Sequence, residues 1–246
     1  MKLSVLMPVY NEAPTLREAV RRVVSAPVAT EIELVAVDDA STDGSGAILD
    51  GLAAADPRLR VVRHDRNRGK AGAIRTALGL ATGDLVLIQD ADLEYDPCDY
   101  PALLAPLLEG KADAVFGSRF LGAPHRVLYF WHWVGNRFLT LLTNALYDVI
   151  LTDMETGYKA FTREVAARLD LRSGGFGLEP EITAKVCRMG CRLYEVPVSY
   201  SGRTYEEGKK ITWRDGIAAL RVLLAWRLRS VPPLPRQPPG GGGGAP

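Results

Sequence analysis

The sequence predicts an α/β fold in which a mostly parallel, Rossmann-like sheet is flanked by helices. In the first half of the chain, short apolar runs alternate with amphipathic helical patterns. Strands separated by helices form right-handed βαβ units, which build a parallel sheet. Three predicted strands also end in polar residues, at the edge where open α/β sheets bind ligands. The second half carries longer helical patterns, so we expect an amphipathic helical portion towards the C-terminus.

The predicted elements of the first half follow one another in regular order. Apolar runs predict strands at residues 3–7, 32–37, 59–62, 85–88 and 114–116. The first helix follows Asn11, a typical capping residue, with Pro14 suited to its first turn. Further helices are predicted after the turn at residues 41–44 and over residues 69–81. Most of these strands are therefore followed by a helix, as a parallel sheet requires.

Residues 127–151 form a long helical pattern with aromatic residues at its start. One stripe is polar and comprises His132, Asn136, Thr140 and Thr143. The opposite side is largely apolar and comprises Phe130, Val134, Phe138, Leu141, Ala145 and Val149. Arg137 and Asp148 make the segment a poor membrane span. Two interpretations stay open: a helix at a membrane interface, or a helix packed on the domain's own core.

Composition and charge indicate one soluble-type α/β domain over residues 1–230. The chain has 246 residues, of which 47% are hydrophobic, enough for a sizeable core. A net charge of +1 argues against a nucleic-acid partner. The N-terminus has no secretory-signal pattern, and the three cysteines indicate a reducing compartment, so we expect a cytoplasmic protein. The last helix is predicted over residues 213–229, and the Pro- and Gly-rich tail at 231–246 is predicted to be disordered.

Three arginines accompany the last helical pattern, Arg221, Arg227 and Arg229. Basic residues on an amphipathic helix fit a surface near anionic lipid, although a solvated helix face is the ordinary interpretation.

The tripeptide Asp90-Ala91-Asp92 follows the apolar run at residues 85–88. Carboxylates spaced by one residue project to the same side of an extended backbone, where one divalent cation can join them to a diphosphate. A short acidic motif alone is more often a solvated loop. Here, however, Tyr10 and Glu12 follow the first strand and Asp39 follows the second. The ends of these strands should converge on one cleft, where Tyr10 can pack on a nucleoside and the carboxylates can accept hydrogen bonds from it.

Several motifs in this order resemble those of family 2 glycosyltransferases with the GT-A fold. They are Pro8-Val9-Tyr10-Asn11-Glu12, Val37-Asp38-Asp39-Ala40-Ser41-Thr42-Asp43, Asn67-Arg68-Gly69-Lys70 and Asp90-Ala91-Asp92. Gly117-Ser118-Arg119 and the pair Arg203 and Lys209 make the chain most similar to polyprenyl-phosphate (dolichol-phosphate) mannose synthases. The resemblance covers residues 2–229, and residues 1–230 would form a single GT-A domain.

The resemblance implies an inverting, metal-dependent transfer of a hexose from a nucleotide sugar to a polyprenyl phosphate. Mannose and GDP-mannose are favoured, and glucose is possible. The implied nucleotide-sugar-binding residues are Pro8, Tyr10, Glu12, Val37, Asp39, Lys70, Asp90, Ala91, Asp92, Arg203 and Lys209. The implied ligands of Mg²⁺ or Mn²⁺ are Asp90, Asp92 and Glu94. Arg119 would bind the acceptor phosphate, and Asp92 and Arg119 would be the catalytic residues.

Two departures from the family pattern bear on these expectations. Glu94 stands where the mannose synthases usually carry Gln, which makes the implied metal site more acidic and bears on the choice of sugar. The sequence also lacks the C-terminal membrane helices of some relatives. We therefore expect peripheral contact with the cytoplasmic face of a membrane.

The nature of the acceptor decides whether the reaction needs a base. A monoalkyl phosphate has its second pKa at about 6, so at neutral pH it can attack directly once it is oriented. A hydroxyl acceptor, as in cell-envelope glycan synthesis, needs a carboxylate base, for which Asp153 and Glu155 are the candidates. Their other role would be to hydrogen-bond within the loop after the long helix. A catalytically silent nucleotide-binding scaffold is a further alternative, but it would need neither the carboxylates nor their basic partners.

Overall fold

A computed structural model of the chain describes residues 1–126, 129–204 and 213–235. Within these residues, seven strands form one sheet with the order β3-β2-β1-β4-β6-β5-β7. The strands are β1 (Lys2–Val9), β2 (Glu31–Asp38), β3 (Leu59–Arg63), β4 (Leu85–Ile88), β5 (Ala114–Ser118), β6 (Lys159–Thr162) and β7 (Leu193–Pro197). Strand β6 runs antiparallel between β4 and β5, and the other pairings are parallel. The prediction of a mostly parallel sheet is confirmed.

Helices cover both faces of the sheet. The α-helices of the described part are α1 (Ala13–Val24), α2 (Ser45–Ala55), α3 (Gly69–Leu78), α4 (Tyr100–Leu108), α5 (Phe130–Tyr147), α6 (Arg163–Arg168), α7 (Leu178–Arg188) and α8 (Trp213–Leu228). Successive strand residues point to opposite faces, so α1, α2 and α4 pack over one core cluster and α3, α6 and α7 over the other. Burying each large apolar side chain contributes about 1.5–3 kcal/mol, which makes these two layers the main source of stability.

The strand order places a ligand-binding edge beside β1. From β1 the chain proceeds through β2 and β3 on one side and reaches β4 on the other, so the direction of winding changes between β1 and β4. The loops that follow β1, β2 and β4 each contain a non-glycine residue with positive φ: Asn11 at 55°, Ala40 at 62° and Leu93 at 63°. Such backbone conformations are costly and cluster at functional sites.

Helix α5 buries its polar stripe and exposes its apolar side. Thr140 and Thr143 are buried, and the Thr140 hydroxyl donates to Asn136 Oδ1 while accepting the Met154 N–H. On the opposite side, Phe130, Phe138 and Leu141 remain 61–68% exposed. The sequence interpretation in which the apolar side packs on the domain's own core is therefore wrong for these residues. Val127 and Leu128, the start of the predicted segment, lie outside the described residues.

The C-terminal part packs through one side of α8. Ala219, Leu223 and Trp226 are buried, whereas Arg221, Arg227 and Arg229 are exposed. Of the tail that was predicted to be disordered from residue 231, the structure describes 231–235, where the Leu234 N–H donates to the Met189 carbonyl oxygen. Residues 236–246 lie outside the described part. Among the residues described, no helix is long and apolar enough to cross a membrane.

Candidate active site

The carboxyl ends of β1, β2 and β4 open into a cavity of about 1230 Å³. The residues that sequence analysis placed at the site and that line this cavity are Pro8, Tyr10, Glu12, Asp39, Lys70, Asp90, Ala91, Asp92, Glu94 and Arg119. Arg203 reaches the same carboxylates from the segment after β7. Val37 does not line the cavity: its side chain lies within the core cluster under α3, because it precedes the end of β2. Lys209 lies outside the described residues.

Asp39 fixes the loop that leads into α3. Its carboxylate is buried and accepts the Arg68 N–H at 2.8 Å and the Gly69 N–H at 2.7 Å. Gly69 has a φ of +74°, a conformation that favours glycine. The His64 ring nitrogen Nδ1 lies 2.6 Å from the same carboxylate. These contacts place Lys70 in the first turn of α3, at the wall of the cavity.

Lys70 joins two carboxylates across the cavity. Its ammonium group donates to Asp90 Oδ2 at 2.9 Å and to Glu179 Oε1 at 3.0 Å. Burial opposes the charged form, but the charges of Asp90 and Glu179 raise the pKa of Lys70 well above its usual value. The sequence analysis missed Glu179. The only signal was the glycine-rich stretch at residues 174–177, which precedes α7 and permits close backbone approach.

Asp92 and Glu94 interact with the segment at residues 200–203. Arg203 donates to Asp92 Oδ2 at 3.0 Å and also contacts Glu12. Glu94 accepts the Arg203 backbone N–H at 2.8 Å and the Tyr200 hydroxyl at 2.9 Å. Burial and the charges of Asp90 and Glu94 together raise the pKa of Asp92 to about 7. The site thus concentrates negative charge that its own cations offset only in part.

This concentration of carboxylates fits a divalent cation whose coordination shell is completed by substrate oxygens. Within the described residues, no three His, Cys, Asp or Glu side chains are arranged as a ready-made metal site. Asp90 and Asp92 nevertheless offer carboxylate oxygens, the ligands that Mg²⁺ and Mn²⁺ prefer. Mg²⁺ in particular is commonly held by one or two carboxylates together with substrate phosphates. A cation at this position would offset the repulsion between carboxylates that contributes to the raised pKa of Asp92.

Arg119 and Asp153 form a buried ion pair at the next part of the cavity. The Arg119 Nε and Nη2 groups donate to Asp153 Oδ2 and Oδ1 at 2.6 and 2.7 Å, and Asn136 Nδ2 donates to the same carboxylate. Burial opposes ionisation of Asp153, but the Arg119 charge and these hydrogen bonds keep the pKa of Asp153 below its usual value. The Asp153 carboxylate is therefore engaged in positioning Arg119. This fits the loop-shaping role expected from the sequence, whereas a general base needs a carboxylate without such partners. The Nη1 edge of the guanidinium is the part outside this bidentate pair.

Glu155 also faces the cavity, but its surroundings differ from those of Asp153. Its Oε1 atom is buried and has no hydrogen-bond partner among the residues that the structure describes. Burial and the nearby charge of Glu179 raise the pKa of Glu155 to about 8. Lys159 is buried close by, where its ammonium group donates to the carbonyl oxygens of Met154 and Thr156. Of the two candidate bases from the sequence, only Glu155 keeps a carboxyl oxygen free of such contacts.

Towards α5 and α8 the cavity is lined largely by apolar side chains. They are Trp131, Phe138, Leu139, Phe176, Ile217 and Leu220, and the polar residues among them are His132, Asn136 and Asp215. The cavity is therefore lined by charged groups at the strand ends and by large apolar side chains at the helices. Arg119 is part of the same lining. This arrangement suits one ligand with phosphate groups and another with a long apolar part.

The chain is similar to known glycosyltransferases. Residues 4–170 match the family model described as glycosyl transferase family 2. The chain is 32% identical over 233 residues to an undecaprenyl-phosphate mannosyltransferase of Micrococcus luteus, covering 90% of this chain and 93% of that protein. It is 33% identical over 209 residues to a polyprenol monophosphomannose synthase of Mycolicibacterium smegmatis, covering 81% and 77%. A mannosyltransferase of Pyrobaculum calidifontis, solved with GDP-Man and Mn²⁺, superposes with a TM-score of 0.64 at 27% identity, covering 94% of this chain and 65% of that one.

Proposed function

The chain belongs to glycosyl transferase family 2 and has the GT-A fold, and on that premise we propose that it transfers mannose from GDP-mannose to a polyprenyl phosphate. The observation that carries the proposal is the two-part cavity, whose lining is acidic and basic at the strand ends and largely apolar at α5 and α8. Relatives named as undecaprenyl-phosphate and polyprenol-phosphate mannose enzymes support the same choice. Residues 1–230 form the catalytic domain in this proposal.

The donor occupies the strand ends in the proposed complex. Pro8, Tyr10, Glu12 and Asp39 contact the nucleoside, with Lys70 and Ala91 beside the sugar-diphosphate. Asp90, Asp92 and Glu94 would hold Mg²⁺ or Mn²⁺, and the cation would supply positive charge beside the departing diphosphate. The oxygens of Glu94 that accept hydrogen bonds keep further lone pairs for this role. Arg203, which already lies against Asp92, adds fixed positive charge at the leaving group.

The acceptor phosphate is placed by Arg119 in the same proposal. The bidentate pair with Asp153 fixes the guanidinium plane, so the Nη1 edge can orient a phosphate oxygen. That oxygen forms a bond to the anomeric carbon while the bond from this carbon to the nucleoside diphosphate breaks, and the configuration inverts from α to β. No base is needed, because the attacking phosphate has already lost its proton at neutral pH. The engagement of Asp153 with Arg119 supports this route.

A hydroxyl acceptor is the second candidate, and one observation favours it. Glu155 lines the cavity, and its buried Oε1 atom has no hydrogen-bond partner in the described part of the chain, so this carboxyl group is less engaged than that of Asp153. The apolar walls formed by α5 and α8 argue for the lipid phosphate instead, since a sugar hydroxyl acceptor gains nothing from them.

An acceptor and donor screen separates the two candidates. Purified protein is given Mn²⁺ with GDP-mannose or UDP-glucose, and either a polyprenyl phosphate or the matched polyprenol, which has the same chain but a hydroxyl end. We expect mannose transfer from GDP-mannose to the phosphate and none to the polyprenol. Transfer to hydroxyl acceptors alone would overturn the proposal, and absence of transfer from any donor would favour the silent scaffold.

The exposed side of α5 is proposed to touch the membrane that carries the lipid acceptor. Trp131 is 77% exposed and also lines the apolar end of the cavity, so its ring connects the protein surface with the proposed lipid path. Aromatic side chains favour the headgroup region, where one end of the ring stays wet. Contact would be peripheral, at the cytoplasmic face.

Trp131→Asp is expected to lower the partition of the protein onto anionic liposomes about tenfold. The variant replaces an aromatic ring that would be buried in the headgroup region by a hydrated charge. Flotation of the purified protein measures this partition. Leu108→Asp is the matched control: Leu108 is 45% exposed at the end of α4 and does not line the cavity. Equal flotation of wild type and Trp131→Asp would contradict the proposed membrane contact.

A further inference from the structure

Glu155 carries a buried carboxyl oxygen that the transfer mechanism to a phosphate acceptor does not use. Buried side-chain oxygens nearly always have a hydrogen-bond partner, and those that do not need an explanation. Glu155 Oε1 has none within the described ranges, although the residue lines the cavity. A ligand hydroxyl bound in the cavity beside Glu155 would supply a hydrogen-bond partner for its carboxyl group.

The position of Glu155 in the chain places it between the two phosphate-binding regions. Two residues before it, Asp153 holds Arg119, the proposed ligand of the acceptor phosphate. Two residues after it, Gly157 packs so closely on Asp90 that an added Cβ would lie 2.9 Å from Asp90 Oδ2. The loop therefore runs from the acceptor side to the carboxylates of the donor side. In any direct transfer, the hexose must lie between the acceptor phosphate and the departing diphosphate.

Rotation of this loop is restricted by its own hydrogen bonds. The Gly157 N–H donates to the Tyr95 hydroxyl, and the ammonium group of Lys159 donates to the backbone carbonyl oxygens of Met154 and Thr156 on either side of Glu155. A side chain on such a fixed loop can discriminate between ligands that differ by one hydroxyl, because the loop does not adjust to an absent partner.

We propose that the Glu155 carboxyl group hydrogen-bonds one hydroxyl of the transferred hexose and so contributes to the selection of the donor sugar. This assignment rests on the proposed function and makes Glu155 a specificity residue, not a base. Its raised pKa, about 8, gives a carboxyl group that can donate as well as accept, which matches a hydroxyl. Glu179 and Lys70 line the cavity beside it and add further partners for the sugar.

Deoxy analogues of the donor sugar test the assignment. The kcat/KM of wild type and Glu155→Leu is measured with GDP-mannose and with its 2-, 3-, 4- and 6-deoxy forms. We expect Glu155→Leu to lower kcat/KM for GDP-mannose about 10- to 100-fold, the effect of one lost buried hydrogen bond. One deoxy analogue should lower the wild-type value by a similar factor and have no further effect in the variant. Affinity for GDP alone, which has no sugar, should stay within about twofold.

Two further variants keep this test decisive. Thr156→Val removes the hydroxyl of the next residue, which is also buried without a hydrogen-bond partner within the described ranges but belongs to a residue that does not line the cavity. This variant should leave the deoxy series as in wild type. Glu155→Gln retains the shape of the side chain and an acceptor oxygen, so it should keep part of the discrimination between GDP-mannose and its deoxy forms. This variant replaces Glu155→Leu if Glu155→Leu does not fold.

The results separate the assignment from the function it rests on. Deoxy effects of the same size in wild type and both Glu155 variants would overturn the assignment while leaving the transferase function intact. A parallel loss of GDP affinity would mean that Glu155 only supports the loop. A wild-type protein that transfers no sugar would overturn the proposed function itself, and the assignment with it.

Discussion

Asp92→Asn is expected to lower the rate of mannose transfer about 10³-fold or more without loss of folding. The variant keeps the shape of the side chain but removes the charge that the proposed cation needs, and fixed charge at a leaving group is worth factors of this size. Folding should not suffer, because the Asp92 carboxylate is crowded by Asp90 and Glu94 in a buried site. Removing one of three like charges relieves that repulsion and leaves a side chain that still hydrogen-bonds.

Steady-state rates at saturating Mn²⁺ and thermal unfolding of the same samples measure the two halves of this prediction. Asp96→Asn is the matched control, since Asp96 lies on the same segment, is not part of the cavity lining and caps the short helix at residues 97–99. It should retain wild-type activity. Full metal-dependent activity in Asp92→Asn would remove the basis of the metal assignment. A large loss of stability in this variant would mean that the charge is structural.

Arg119→Ala is expected to lower the free energy of unfolding by about 3–5 kcal/mol, because it leaves the Asp153 carboxylate buried and unpaired. Denaturant unfolding measures this change. The pKa of Asp153 is lowered in the folded protein, so the pair contributes its full stability above the unfolded pKa of about 3.9 and loses it as the pH falls through the lower folded value. The destabilisation by Arg119→Ala should accordingly shrink in strongly acidic solution.

A double variant and a conservative variant separate stability from acceptor binding. Arg119→Met combined with Asp153→Leu replaces the pair by apolar side chains and should recover much of the lost stability. Arg119→Lys keeps the charge but not the bidentate geometry, so it should raise KM for the polyprenyl phosphate more than KM for GDP-mannose. The role given to Arg119 would be contradicted by either of two results. One is that Arg119→Ala unfolds at the same denaturant concentration as wild type, and the other is that Arg119→Lys changes both KM values equally.

The sequence was sufficient for the parts of the fold that depend on local patterns. Continuous apolar runs located the strands of the first half, and the polar residues after them converge at one edge because parallel strands end together. Strand β6 was not predicted, because it has four residues and begins with the buried Lys159, which breaks the apolar pattern. Val37 was assigned to the nucleotide-sugar site by resemblance alone, but its position within β2 places its side chain in the core.

The spacing of residues along the sequence does not show which distant segments contact each other. The partners Lys70 and Glu179 lie more than a hundred residues apart, and the pairing of Arg119 with Asp153 depends on how the loop after α5 folds back. The orientation of α5 is the clearest case. Its periodicity correctly separated a polar from an apolar side, but only the position of Asp153 shows why the polar side faces inward: Asn136 donates to that carboxylate. The apolar stripe alone left two interpretations open, packing on the domain's own core and contact with a membrane interface.

The linkage in the product tests the central claim most directly. Wild-type protein is incubated with GDP-mannose, Mn²⁺ and a polyprenyl phosphate, and the lipid product is examined by mass spectrometry and by NMR of the anomeric centre. We expect a single mannose joined through a phosphodiester in the β configuration, which direct in-line attack by the phosphate requires. A mannose joined to a hydroxyl oxygen, or a phosphodiester that keeps the α configuration, would contradict the account.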